Sequence, residues 1–317
     1  VRVVTNMGAA DPIGAGKVVI AVARRLGLRV KVAAVTGDDV LRSVKPKMIA
    51  LETGRPLGEH GKVVSANAYL GADAILPALA SGANVVITGR VADSSLFVAP
   101  FVHEFGWALD DWERLARGTV VGHLLECAGQ ITGGYFADPG VKDVPDLAHL
   151  GFPFADVDAD GFASISKLPG TGGAVTLATV KEQLLYEVTD PTGYVTPDVT
   201  ADFTSVRLAD VGPDRVAVGG ATGRPRTNTL KVSVGYLAGW IGEGEISYAG
   251  ANARARADLA AAVLRERLQD AVPDLRIDRI GIDSSHRSSF LHAHDPYEVR
   301  LRVAGRADNR ALAERVA

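Results

Sequence analysis

A single cysteine, Cys127, stands in 317 residues, so no internal disulfide can form and the fold must rest on core packing. Methionine and the aromatic residues are also scarce, at two residues and 6%, which leaves Val, Ala, Leu and Ile to fill the core. No apolar run approaches the roughly 18 uncharged residues of a membrane-spanning helix, so a soluble protein with no membrane partner is expected. The formal net charge is −3 and the arginines are scattered, which leaves no basic stripe for nucleic-acid phosphates. One unpaired thiol points to a reducing compartment, and the cytoplasm is the expected location. Neither an initiator Met nor a basic, apolar, cleavable segment opens the chain, so Val1 to Asn6 reads as a strand already inside a fold.

What is present is a repeated pattern. The β-branched run Val1 to Thr5 leads through NMGAADPIGAG into an apolar periodic segment from Ile13 to Leu26. Val30 to Val35 and Asn84 to Thr88 repeat the strand signal, with helices expected near Asp73 and over Leu96 to Phe105. Strands alternating with helices predict an α/β fold with a mostly parallel sheet flanked by helices. In such sheets ligands bind beyond the carboxyl ends of the strands. The loops there carry Asn6 and Asp11, then Asp38 and Asp39, then Arg90, Asp93 and Ser94. Arg90 in so aliphatic a setting suits a carboxylate or phosphate partner, which could equally be Asp93 itself; Asp93 also reads as an N-cap. Ser65, Asn67 and Tyr69 alternate just before the helix at Asp73, either facing the same cleft or plugging the sheet end.

The segment Thr119 to Gly140, TVVGHLLECAGQITGGYFADPG, concentrates unusual residue types. Taken as a helix, it puts Val120, Val121, Leu124, Leu125, Ala128 and Ile131 on one side. His123, Glu126, Cys127 and Gln130 form an i, i+3, i+4, i+7 stripe opposite. A polar stripe with one full charge lines a cleft or interface, or else belongs to a core helix whose polar groups are bonded within the protein. Cys127 reads as inert packing, and Glu126 and His123 as the acid–base or binding groups. Further on, Lys167 and the run Pro169 to Gly173 (PGTGG) precede a helix in which Thr179 and Glu182 have capping-box spacing. A Gly-rich turn opening a helix can present N–H groups to anions, or simply turn.

From Asp202 onward strands dominate, then a helix spans Ala251 to Asp270, strands follow near Leu275 to Asp283 and Tyr297 to Val303, and a last helix starts near Asp308. This predicts a second, smaller α+β domain over residues 202–317, with a ferredoxin-like order as one option, after a first domain over 1–201. Its closing helix looks cut short at Ala317. Several nucleotide and hydrolase motifs fail: GAADPIGAGKV departs from a Walker motif at Asp11 and Val18, and neither G-x-G-x-x-G nor G-x-S-x-G occurs in a suitable context. His286, His292 and His294, with Asp283 and Asp295, match no zinc spacing, so no metal is expected.

The runs VRVVTNMGAADP, YLGADAILPALASGANVVITGRVADSSL, HEFGWALDDWERLARGTVVGHLLECAGQITGGYFADPG, DVPDLAHLGFP, PGTGGAVTLATVKEQLLYEVTDPTGYVTPDV and LKVSVGYLAGWIGEGEISYAG together resemble the acyclic terpene utilisation (AtuA-like) family. The resemblance covers most of Val1 to Gly250. It implies a bacterial or fungal catabolic protein, associated with breakdown of citronellol and geraniol through branched acyl-CoA intermediates. Members of the family look longer at the amino end, with a Gly-rich first strand not found here. No catalytic residue is carried over by the resemblance; Asn6, Arg90, Asp93, His123, Glu126, Tyr135, Asp138 and the PGTGG loop fall in its runs.

The expectation is therefore a hydratase or lyase acting on a branched acyl-CoA or carboxylate. Its catalytic groups are Glu126, His123 and Asp93. Its small anionic substrate is held by Arg90, Asn6, Asn67, Tyr135, Asp138, Lys167, Gly170, Thr171, Gly172 and Gly173. No cofactor is expected beyond CoA as part of the substrate, and a homo-oligomer is left open. The alternative is a non-catalytic partner or scaffold subunit of the same pathway. A hydrolase of small cyclic or amide substrates rests only on the acid-rich loops.

Overall fold

A computed structural model describes residues 1–285 and 296–316 of the chain. His286, His292, His294 and Asp295 of the histidine group, and the chain end at Ala317, lie outside the described residues. Packing divides the chain into two units, Val1–Lys45 with Val64–Gly235, and Pro46–Val63 with Tyr236–Ala317. Residue 202, where a second domain was expected to start, falls inside the first unit.

The first unit opens with β1 (Val3–Thr5), α1 (Pro12–Arg25) and β2 (Val32–Val35). Asp11 caps α1 by accepting the Gly14 N–H at 2.8 Å, and Pro12 takes the first helical position, where its missing N–H costs nothing. After β3 (Lys62–Ala68) come α2 (Ala72–Ala80), β4 (Val85–Thr88) and α3 (Ser95–Phe105). Strand β4 lies between β1 and β2, parallel to both, and α1 and α2 pack against β2 and β4. This three-stranded sheet is the parallel part of the fold.

Next comes α4 (Trp112–Glu126), which starts earlier than the expected Thr119 because Asp111 caps it on the Arg114 N–H. It also ends earlier than Gln130: Ala128 adopts a left-handed φ of 48°, and a 3₁₀ turn covers Ala128–Gln130. Helix α4 is buried over most of its circumference, with Leu115, Val120, Val121 and Leu124 in the core. Gly122 is needed there, since a Cβ would lie 2.8 Å from the Ser94 Cα and carbonyl oxygen.

The rest of the unit departs from a mostly parallel sheet. Strands β5 (Pro153–Val157) and β6 (Ala163–Lys167) precede α5 (Leu177–Leu185). The short strands β7 (Tyr194–Val195), β8 (Thr200–Asp202), β9 (Arg207–Gly212), β10 (Arg215–Gly219) and β11 (Thr222–Arg224) follow. They form the antiparallel sheets β5-β6-β10-β9 and β11-β8-β7. The physical reason is connection length: turns of a few residues such as Pro213–Asp214 can join only antiparallel neighbours, whereas parallel ones need a crossover. Val216, Val218, Ala201 and Phe203 of this region bury into the same core as Val86, Ile75 and Leu124, which is why 202–235 belongs to the first unit. The capping box of α5 is Thr176 with Thr179, one turn before the expected Thr179 and Glu182.

Asp198 closes this core. Its carboxylate, 5% exposed as a residue, accepts the Ala72 N–H at the start of α2 at 2.6 Å and the Ser95 hydroxyl at the start of α3. Gly71 leaves room for it, because a Cβ there would sit 2.6 Å from the Asp198 Oδ1.

The first unit's last residues, to Gly235, lie in β12 (Val232–Leu237), which pairs with β3. The second unit contains β13 (Trp240–Ala249), α6 (Ala253–Leu268), β14 (Arg276–Ile280), β15 (Glu298–Ala307) and α7 (Arg310–Glu314). Strand β15 runs antiparallel between β13 and β14, the order of the first five elements of a βαββαβ unit. Val299 packs with Ala253 and Ala257 of α6, and Val303 with Leu268, Val272 and Val316. Arg302 forks between Glu243 at 2.7 Å and Asp278 at 3.2 Å, a ladder of charge across all three strands.

Burial pushes the Asp198 carboxyl up to about 6, against the hydrogen bonds from Ser95 and Ala72 that favour its ionised form. The folded state therefore holds this proton more tightly than the unfolded chain. The stabilisation, about 3 kcal/mol in full, is present below about pH 4 and is lost as pH rises through 6. Asp198→Asn keeps one acceptor and should flatten that slope in denaturant titrations run from pH 4 to 7. Asp198→Ala strands two buried donors and removes the same titration, so it should lower stability by about 2–4 kcal/mol at pH 4 and by less at pH 7.

Candidate functional site

The carboxyl ends of β2 and β4 meet at Asp38. Its carboxylate, almost wholly buried, accepts the Arg90 N–H and the Asn67 side-chain amide, each at 2.9 Å. Gly89 permits this, since a Cβ would lie 2.4 Å from the Asp38 Oδ1. Asn67 is thus held at the sheet end, and Arg90 is aimed outward from it. The Arg90 Nε donates to the Val91 carbonyl at 2.7 Å, and Nη2 forms an ion pair with Asp93. Its guanidinium lies over the Tyr69 ring, 4.6 Å from the centroid. Asp93 is therefore Arg90's partner; the N-cap position of α3 belongs to Ser94. Asn6 follows β1 at the same end of the sheet, where Gly8 packs closely on the Thr88 carbonyl oxygen.

Glu126, at the last turn of α4, belongs to this neighbourhood. Burial raises its pKa, the Cys127 S–H donated at 2.8 Å opposes the rise, Asp93 and Glu187 add to it, and Arg90 opposes it. Burial first, and then the neighbouring carboxylates, let Glu126 keep its proton to a higher pH than an isolated carboxyl would. Tyr194 stands beside the same group, its phenol pushed up to about 12 mainly by burial, and then by Glu126, Asp93 and Glu187. Glu187 reaches the set from just beyond α5 with a left-handed φ of 58°.

His123 is not on this surface. It is 2% exposed and packs against Tyr194 and Phe203, ring centroids 5.5 and 5.6 Å away. Burial lowers its pKa, and among the described residues its Nε2 has no hydrogen-bond partner. The stripe that looked like a cleft face is therefore split, with Glu126 at the site and His123 behind it. Tyr135 is exposed, near the Tyr186 phenol, and Asp138 closes an exposed turn with Lys142. Among the described residues, no hydrogen bond or ion pair joins either to Arg90, Asp93 or Glu126.

The PGTGG loop departs furthest from expectation. The N–H groups of Thr171, Gly172 and Gly173 donate to the carbonyls of Leu168, His149 and Pro145, so these three amides are spent inside the protein. Gly172 is glycine because a Cβ would lie 1.8 Å from the Asp146 oxygen. Gly170 and Gly173 have φ near +80°, which glycine adopts without strain. The Lys167 ammonium is buried, donates to the Thr171 carbonyl at 2.8 Å and pairs with Asp214 at 3.1 Å. Its charge holds the loop and is not offered to a ligand.

The structure thus assembles Arg90, Asp93, Asn67 and Glu126 and adds Tyr69, Tyr194 and Glu187. A family model for the acyclic terpene utilisation family protein AtuA matches residues 1–317. The chain belongs to the acyclic terpene utilisation family. No curated protein and no solved structure matches it. Among the described residues of this AtuA family chain, no helix is long and apolar enough to cross a membrane.

The half-buried Cys127 thiol is pushed up to about 12, by burial first and then by Glu126. It should stay protonated at pH 8, and the native protein should take up iodoacetamide at least tenfold more slowly than the urea-unfolded chain, read by mass spectrometry.

Proposed function

We propose that this site catalyses acid-assisted hydration or dehydration, or the related lyase cleavage, of a branched acyl substrate in acyclic terpene breakdown. The observation that carries the reading is the raised pKa of Glu126 in a set with Asp93, Glu187 and Arg90. A carboxyl that keeps its proton is a general acid for a departing hydroxyl or a carbonyl oxygen. Elimination also needs a base for the proton beside the carbonyl, and Asp93, 46% exposed along its side chain and adjacent to Arg90, is placed to supply it. Arg90 faces the negative charge that develops on the acyl oxygen, where a fixed cation acts most strongly. Tyr194 offers a phenol proton to the same region.

In this reading His123 does not move a proton; its ring supports Tyr194. Family membership supports a role in acyclic terpene utilisation; the branched acyl class, with CoA as one carrier of it, belongs to the proposal.

A panel of branched 3-hydroxyacyl-CoA and glutaconyl-type thioesters tests the reading. Turnover should decline as pH rises through the raised Glu126 pKa, because the acid form is the active one. Glu126→Gln should cut kcat by about 10²–10⁴ and remove that limb. Absence of turnover across the panel with wild-type protein would overturn the proposal.

A further inference from the structure

Beside Arg90 a second cation rests on the same aromatic ring. The Lys231 Nζ lies 4.9 Å from the centroid of Tyr69, and the Arg90 guanidinium 4.6 Å from it. The platform is fixed at both ends: the Tyr69 N–H donates to the Lys231 carbonyl at 2.9 Å, and the Ser233 hydroxyl bonds the Tyr69 phenol oxygen at 3.3 Å.

The two cations differ in how far their charge is already committed. Arg90 gives Nε to a carbonyl and Nη2 to Asp93. Lys231 is exposed, and among the described residues its ammonium has neither a carboxylate within ion-pair distance nor a hydrogen bond; it rests on the Tyr69 ring. An ammonium held against a ring yet free of any acid is a point charge open to an incoming anion. Asp93 already meets part of the Arg90 charge, so the ammonium of Lys231 is the charge on this ring left for an incoming anion.

We propose that Lys231, seated on Tyr69 beside Arg90, binds the anionic end of the substrate and so selects a charged acyl compound over its neutral counterpart. This rests on the site assignment made above. It adds a residue from the far side of the first unit's sequence and fixes the substrate's orientation, anion toward Lys231 and reacting carbon toward Glu126. The anion is a free carboxylate or a phosphate of CoA, and the two are separated by experiment.

Isothermal titration of the full chain with 3-methylbut-2-enoate, its methyl ester and coenzyme A makes the test. Wild type should bind the carboxylate or coenzyme A, whichever carries the recognised anion, at least tenfold more tightly than the ester. Lys231→Ala should weaken binding of that anion tenfold or more at 50 mM salt, leave the ester unchanged, and keep the wild-type melting temperature. Lys231→Arg and Tyr69→Phe should retain most of the affinity, whereas Tyr69→Leu should lose it. Equal binding by wild type and Lys231→Ala, or binding of none of the three probes by wild type, would overturn the proposal. Failed turnover by the wild-type protein with intact Lys231-dependent binding rejects the chemistry alone.

Discussion

The Asp38 carboxylate is the point on which the candidate site depends. One buried acid joins three separate pieces of chain: its own loop after β2, the Arg90 backbone after β4, and Asn67 at the end of β3. Hydrogen bonds to a buried carboxylate are stronger than neutral ones, and leaving any of them unmade carries a large desolvation penalty. The register of the sheet end is therefore fixed, and so is the direction in which Arg90 leaves it. With Arg90 fixed, Asp93 and Tyr69 have a defined partner, and Glu126 has a defined field.

Helix α4 supplies the back of this arrangement. It passes through the core with glycine at Gly118 and Gly122, where neighbouring side chains and the start of α3 come close, and only its last turn reaches the polar region. Behind Glu126, the rings of His123, Tyr194 and Phe203 pack together at tilted angles and close that side. A carboxyl with an aromatic wall behind it and acids beside it loses solvation and gains repulsion, and both effects favour its protonated form.

Much of the frame was legible in the sequence. The strands β1, β2 and β4 are short β-branched runs, and Asp11 with Pro12 marks the start of α1 in plain terms. Arg90 and Asp93 were readable because charge is conspicuous after a buried strand. His123 was misplaced because a helix buried on nearly every side displays the same i, i+3, i+4, i+7 spacing as one lining a cleft; burial of the opposite face has no signature in one helix's sequence. The PGTGG run was ambiguous for a similar reason, since glycines that admit a carbonyl oxygen and glycines that admit a phosphate look alike. Tyr194, Glu187 and Lys231 carried no local signal, because each reaches the site through tertiary packing. The parallel-sheet expectation extended a true pattern from the first 105 residues into a region where connections shorten.

Asp198 lies 126 residues after Ala72 and 103 after Ser95, the groups it closes. At a synthesis rate of roughly 5–20 residues per second, that separation is on the order of ten seconds. During that interval β1, β2 and β4 are already available to pair, while the starts of α2 and α3 lack the acid that satisfies them. During synthesis the starts of α2 and α3 therefore gain the acid that satisfies them only once residue 198 has been added.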